Sequence, residues 1–311
     1  MAESFPDCAA GGNEQRRRVR SDTAGVGSAL AAFFLWGVLP VFWKQLSFLP
    51  PLTIVAQRTL WSLAILLCIV LWTGELRTIR ETLRSPRGVA WHLAAGLQLA
   101  TNWLLYVWAT LNDRIVEGAL GYYLNPFFNM WFGFLWFGER HKPRQRVAIG
   151  LALAGVLVQV PAVGHFPWVA LTLALSFSLY AVVKKRAPLG SRAGLTIETG
   201  LIAPLALGWL VFGAGSMRAA FGADAGHAWL VACAGIATTL PLLFFGHAAR
   251  SIRLSTLGIL QFLGPTLQFL IGWRLYGEPM GTARVVSFSL IWIAVALYAA
   301  DAVMEGRKRR R

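Results

Sequence analysis

Charge is scarce in this chain, and negative charge scarcer still. Only 14% of its 311 residues are charged, with 14 Asp and Glu against 29 Lys and Arg, where an average soluble domain carries roughly 25%. That excludes an ordinary water-soluble domain. Cysteine is nearly absent: Cys8, Cys68 and Cys233 lie far apart with no CxxC or other paired spacing, which argues against a disulfide framework or a zinc site. Of the five histidines, His141, His165 and His227 read as loop residues and His92 and His247 as isolated, so no metal-ligand spacing arises. No GxxxxGK[ST], HExxH or GxSxG occurs, so ATP use and the commoner hydrolytic chemistries have no motif to stand on. No cofactor is expected.

What fills the chain is apolar. Hydrophobic residues make up 56% and mean hydropathy is +0.56. Windows of about 20 apolar residues, enough to cross about 30 Å of hydrocarbon as helix, recur at 25–45, 51–73, 89–110, 115–137, 146–163, 167–184, 194–213, 228–249, 254–275 and 284–303. The expected fold is therefore an all-α integral membrane protein with ten transmembrane helices. Residues 1–24 read as a disordered basic cytoplasmic tail and 304–311 as a second basic tail. A cleaved signal peptide is the competitor for the first span, but its small-residue cleavage site should follow the apolar stretch. Here Ala29, Ala31 and Ala32 open it and bulky residues continue it.

A net charge of +15 would suggest nucleic acid in a soluble protein, but here the cations sit in short loops, so no nucleic acid partner is expected. With the N-terminus inside, the inner segments hold 23 Lys and Arg and the outer ones five: Lys44, Arg114, Arg218, Arg274 and Arg284. Positive short loops stay cytoplasmic, which predicts both termini on that side of a bacterial inner membrane. Arg58, inside the second span, completes the count.

An internal repeat organises the spans. A shift of 139 lays Gly96, Arg114, Leu124, Pro126, Gly133, Gly138 and Glu139 on Gly235, Arg253, Leu263, Pro265, Gly272, Gly277 and Glu278, with Asn129 on Gln268. A shift of 140 lays Lys44 on Lys184 and Arg58 on Glu198. The two repeats are 25–163 and 167–303, five spans each. Five is odd, so the second repeat enters the membrane inverted, with a substrate path expected between the halves near the midplane.

Two five-helix repeats, each with a proline in its fourth helix followed by a Gly-Glu pair (GER at 138–140, GEP at 277–279), resemble the EamA domains of the drug/metabolite transporter superfamily. LWGVLPVFWKQL, the QR at 57–58, NWLLYVWA, LGYYLNP, FGER and TLGILQFLGPTLQFLIGW resemble its RarD branch, whose members are named for chloramphenicol sensitivity. The resemblance covers about residues 25–303 and implies a ten-helix inner-membrane carrier that exports small metabolites or drugs. It supplies no established binding site.

The residues themselves nominate one. Arg58 lies about 12 Å below the Pro50-Pro51 helix start at 1.5 Å per residue, and a charge inside a span normally faces the bundle interior or a watery cavity. It can hold an anionic or carbonyl-bearing group; the competing reading has it snorkel to the headgroups. Glu198 is expected to bracket the cavity from the other side, as a candidate proton acceptor rather than a permanent partner of Arg58. The competitor is a partly solvated Glu favoured by its helix N-terminus. Asn102, Tyr106, Asn125, Asn129, Gln261 and Gln268 add a polar stripe on spans three, four and nine, tolerable only against a cavity or another helix. Arg58, Asn102, Asn125 and Gln261 are expected to share one central cavity, with Trp103 and Trp108 as aromatic walls for planar substrates. The other Trp and Phe are read mostly as lipid-facing filler or interfacial belts. Pro126 and Pro265 permit kinks that let helix halves swing. Glu139 is expected to pair with Arg140 to Arg146.

A secondary carrier for a small-molecule substrate is thus the first expectation, a homodimer being left open. An intramembrane enzyme would need a paired catalytic constellation that the spans lack, and a channel or non-transporting partner is disfavoured by the inverted repeat and buried charge.

Overall fold

The computed structural model describes residues 8–46, 48–111, 115–158, 160, 166–187, 189–213, 225–276 and 281–308. Arg114, His165, Arg218, Gly277, Glu278 and Pro279 lie outside the described residues, as does the side chain of Trp108. Twelve helices run through the described residues: α1 (Cys8–Gln45), α2 (Pro51–Thr73), α3 (Leu76–Leu83), α4 (Pro86–Leu111), α5 (Ile115–Phe137), α6 (Pro143–Leu157), α7 (Trp168–Arg186), α8 (Ser191–Phe212), α9 (Ala225–Ser251), α10 (Leu254–Gln261), α11 (Leu263–Tyr276) and α12 (Thr282–Lys308). The protein is all-α among the described residues, and each of the ten apolar windows carries helix. Among the described residues six stretches, Leu52–Thr73 and Gly226–Ser251 among them, are long and apolar enough to cross a membrane.

Local chemistry sets the ends. Pro51 opens α2, where a missing N–H costs nothing, and Gly74 closes it in the left-handed region at φ 73° with its N–H on Val70 O. The ninth window breaks where one helix was expected: α10 stops at Gln261, Phe262 turns back to Ile259 O, and α11 restarts with Gly264-Pro265 in its first turn. Pro265 has no N–H for the carbonyl four residues earlier, that of Gln261. Pro126 sits inside an uninterrupted α5. Three further differences concern helix extent. Helix α1 reaches back to Cys8 through residues read as a tail, α12 continues to Lys308, and His227 belongs to α9, its ring edge-on to Phe48 at 4.3 Å. The short α3, within what read as a basic loop, buries Ile79 and pairs Arg77 with Glu81 on its wet side.

The main helix contacts recur when the halves are exchanged. Helices α2 and α8 pack together, as do α6 and α12, and α5 and α10; α1 against α9 mirrors α7 against α4, and α2 against α9 mirrors α8 against α4. At the centre Phe33, Trp36, Phe177, Tyr180 and Phe245 form one aromatic cluster with ring centroids 5.1 to 6.2 Å apart. The filler reading fails for these rings; Trp72, 90% exposed, fits it.

Glycine lets α9 cross α2 closely. A Cβ on Gly235 would lie 2.6 Å from Trp61 Cβ and 2.7 Å from the Trp61 carbonyl carbon, and one on its repeat mate Gly96 would lie 3.0 Å from Glu198 O on α8. Gly to Ala in a helix normally gains about 0.5–1 kcal/mol. Gly235→Ala is instead expected to lose at least about 1 kcal/mol through overpacking, read as a lower unfolding midpoint in detergent. A raised midpoint would show that the two helices part freely.

The halves are also tied at a helix end. Glu139 follows Gly138, which turns the chain at φ 62°. Its carboxylate accepts from the N–H groups of Leu254 (2.8 Å) and Ser255 (2.9 Å) and the Ser255 hydroxyl (2.6 Å), capping α10, with Arg253 Nε at 3.8 Å. These partners replace the expected Arg140 to Arg146 pairing.

Candidate functional site

Beside a shallow cleft of about 560 Å³ where α3 meets α4 and α7, two cavities open deeper in the bundle, and Trp103 on α4 lines both. The first, about 310 Å³, lies among α2, α4, α8 and α9; the second, about 140 Å³, lies among α1, α4, α5, α7, α10 and α11. The expected single cavity is thus two chambers. Arg58 and Glu198 line the first. Asn102, Tyr106, Gln261, Gln268 and Pro265 line the second. Asn125 and Asn129 line neither, nor does Pro126.

Arg58 is 5% exposed and lies in the chamber wall rather than snorkelling. Its guanidinium carbon sits 3.4 Å from the centroid of the Trp103 ring, a cation–π stack that helps to hold a desolvated cation. Among the described residues its Nε has no hydrogen-bond partner, and neither do the buried hydroxyls of Thr238 and Thr239 in the same chamber.

Glu198 is 1% exposed, so the solvated reading fails. It does not touch Arg58. One oxygen accepts from Lys184 Nζ at 2.9 Å and lies 3.3 Å from His92 Nδ1, and the other accepts from the Tyr180 hydroxyl at 3.1 Å. Lys184, read from sequence as a cytoplasmic loop cation, is 2% exposed inside α7; His92, read as isolated, is fully buried. Helix α4 of the first repeat is thereby joined to α7 and α8 of the second.

The amides work in both of the ways considered from sequence. Asn102 Nδ2 donates to Leu173 O (2.9 Å) and Ser176 Oγ (3.0 Å), binding α4 to α7, and Gln268 Nε2 donates to Trp36 O (3.0 Å), binding α11 to α1. Asn129 Nδ2 donates to Gln261 Oε1 at 2.9 Å across the two halves. Asn125 is buried with both amide atoms unpartnered, while Ser178 donates to its backbone carbonyl. Tyr106 packs edge-on to Trp103 and Tyr122.

Sequence reasoning missed the hydroxyls. Thr59 and Thr199 line the first chamber, and the shift of 140 that lays Arg58 on Glu198 also lays Thr59 on Thr199. That signal was available. For Thr238, Thr239 and Ser62 no spacing gave notice. No group of three His, Cys, Asp or Glu could hold a metal among the described residues.

Apolar helices of membrane-crossing length, packed as two similar halves around mostly apolar chambers that hold a few polar groups, are the architecture of a multi-pass membrane transporter. Residues 23–160 match the EamA-like transporter family. The chain is 40% identical over 275 residues to an uncharacterized transporter of Pseudomonas aeruginosa, covering 88% of this chain and 92% of that one. It is 37% identical over 286 residues to protein RarD of Salmonella typhi, covering 92% and 97%. A crystal structure at 21% identity superposes with a TM-score of 0.68 over 89% of this chain and 97% of the other, a likeness of fold alone. The chain belongs to the EamA-like transporter family, in the branch of the RarD proteins.

Proposed function

We propose that this transporter is a secondary carrier that exports small amphipathic compounds across a bacterial inner membrane by alternating access, with both termini cytoplasmic. One observation carries the reading: a desolvated guanidinium faces a cavity of about 310 Å³ inside the helix bundle. A cation so placed is costly and marks a substrate path. The second chamber, with its aromatic wall and amides, continues that path past Trp103. The break at Phe262 and the carbonyl freed by Pro265 supply a joint beside it, as helix interruptions do where they line a cavity.

The test is flux into proteoliposomes of a panel containing an amphenicol, amino acids and small aromatic acids, wild type against Arg58→Ala. At least about a tenfold loss of initial rate is expected, the scale of one lost charge-assisted hydrogen bond. Unchanged rates in the variant would remove Arg58 from the path. No flux of any compound by wild type would sink the carrier reading.

A further inference from the structure

The charges around the first chamber narrow the class of cargo. Under the shift of 140, Lys44 corresponds to Lys184 and Arg58 to Glu198. In the second half these positions carry opposite charge and close an ion pair of 2.9 Å. In the first half both are cationic, so the same construction cannot neutralise Arg58. Among the described residues Glu198 is the one acid lining the chamber, and Lys184, Tyr180 and His92 already hold it. Among the described residues no carboxylate pairs with Arg58, and no charged residue lines the second chamber.

Among the described residues the chamber therefore keeps one uncompensated positive charge. Burying an unpaired cation is costly, and the unpartnered Arg58 Nε, Thr238 and Thr239 are hydrogen-bond donors left over at one place. An anion would satisfy both. The remaining wall is apolar, with Leu99, Ile202 and Trp209.

We propose that the first chamber binds compounds bearing a single carboxylate on a compact apolar or aromatic body, the carboxylate on the Arg58 guanidinium and the body along that wall. The proposal rests on the carrier reading and names its substrate class. A planar guanidinium takes a carboxylate through two parallel hydrogen bonds, and one cation matches a monoanion. A doubly charged phosphate would remain half compensated. Free amines should be rejected, because the chamber offers them no unengaged acid.

Three probes of one shape test this on the purified full chain in detergent by isothermal titration calorimetry at neutral pH: phenylacetate, neutral phenylacetamide and cationic phenethylamine. Phenylacetate should bind at least about tenfold tighter than the amide, and the amine not detectably. Arg58→Gln should bring acid and amide within about twofold. Arg58→Lys should keep part of the preference, since the charge stays while the planar fork is lost. Should Arg58→Gln not remain monodisperse, Arg58→Lys and Thr239→Val, expected to weaken acid more than amide, carry the comparison. Equal binding of acid and amide by wild type, tighter binding of the amine, or no binding of any probe would overturn the carboxylate class. Equal binding leaves the carrier reading untouched. Acid-selective binding without flux of the acid into proteoliposomes would overturn the carrier reading and leave the anion site standing.

Discussion

Lys184→Met is expected to cost this protein roughly 3–5 kcal/mol, because removing one partner of a buried ion pair leaves the other charge uncompensated. Glu198, 1% exposed, would retain only the Tyr180 hydroxyl and His92. Met fills nearly the same volume, so the loss would come from charge and not from a cavity. A fall in the detergent unfolding midpoint on the order of 10 °C should result. Glu198→Leu alone should fall comparably, stranding Lys184. The double replacement should recover much of the loss, since a well-packed apolar pair often equals a buried ion pair. A double-mutant cycle reads the coupling directly. Single variants as stable as wild type would mean that the pair of 2.9 Å contributes nothing net.

Glu139→Ala comes next in size, at about 2–4 kcal/mol. Three hydrogen bonds go at once, two of them from backbone N–H groups to a carboxylate at a helix start. Bonds to charged groups are worth about 1.5–3 kcal/mol each and are not additive. The carboxylate also meets the positive end of the α10 dipole. Glu139→Gln keeps the shape and one acceptor, so it should cost about 1 kcal/mol. Hydrogen exchange localises the effect: the Leu254 and Ser255 amides should exchange faster in the Ala variant, while α12 is unchanged. Uniformly faster exchange would point to global loosening instead of a lost cap.

What could be read from sequence was what a single residue or a fixed spacing carries. Apolar windows gave the helices because each must satisfy its own backbone in lipid, and the shift of 139 paired Gly96 with Gly235, both of which stand at close helix crossings. Lys184 shows where this stops. It belongs to the run Lys184-Lys185-Arg186, which counts as a cytoplasmic cluster. Yet helical rotation carries Lys184 into the core while Lys185 reaches the Ala249 and Ile252 carbonyls and Arg186 the Trp136 carbonyl. Three residues side by side in sequence thus do three different things. His92 meets Glu198 across 106 residues, and no periodicity reports a contact of that kind. The division into two chambers depends on the position of Trp103 between them, a matter of packing that an aromatic residue on a helix does not announce.

The cap on α10 bears on how the chain is made. Glu139 precedes Leu254 by 115 residues, so the acceptor is synthesised long before the amides it will serve. When α10 is made, the carboxylate that caps it in the final structure is already part of the chain. A chain that began after Glu139 would start α10 without its cap.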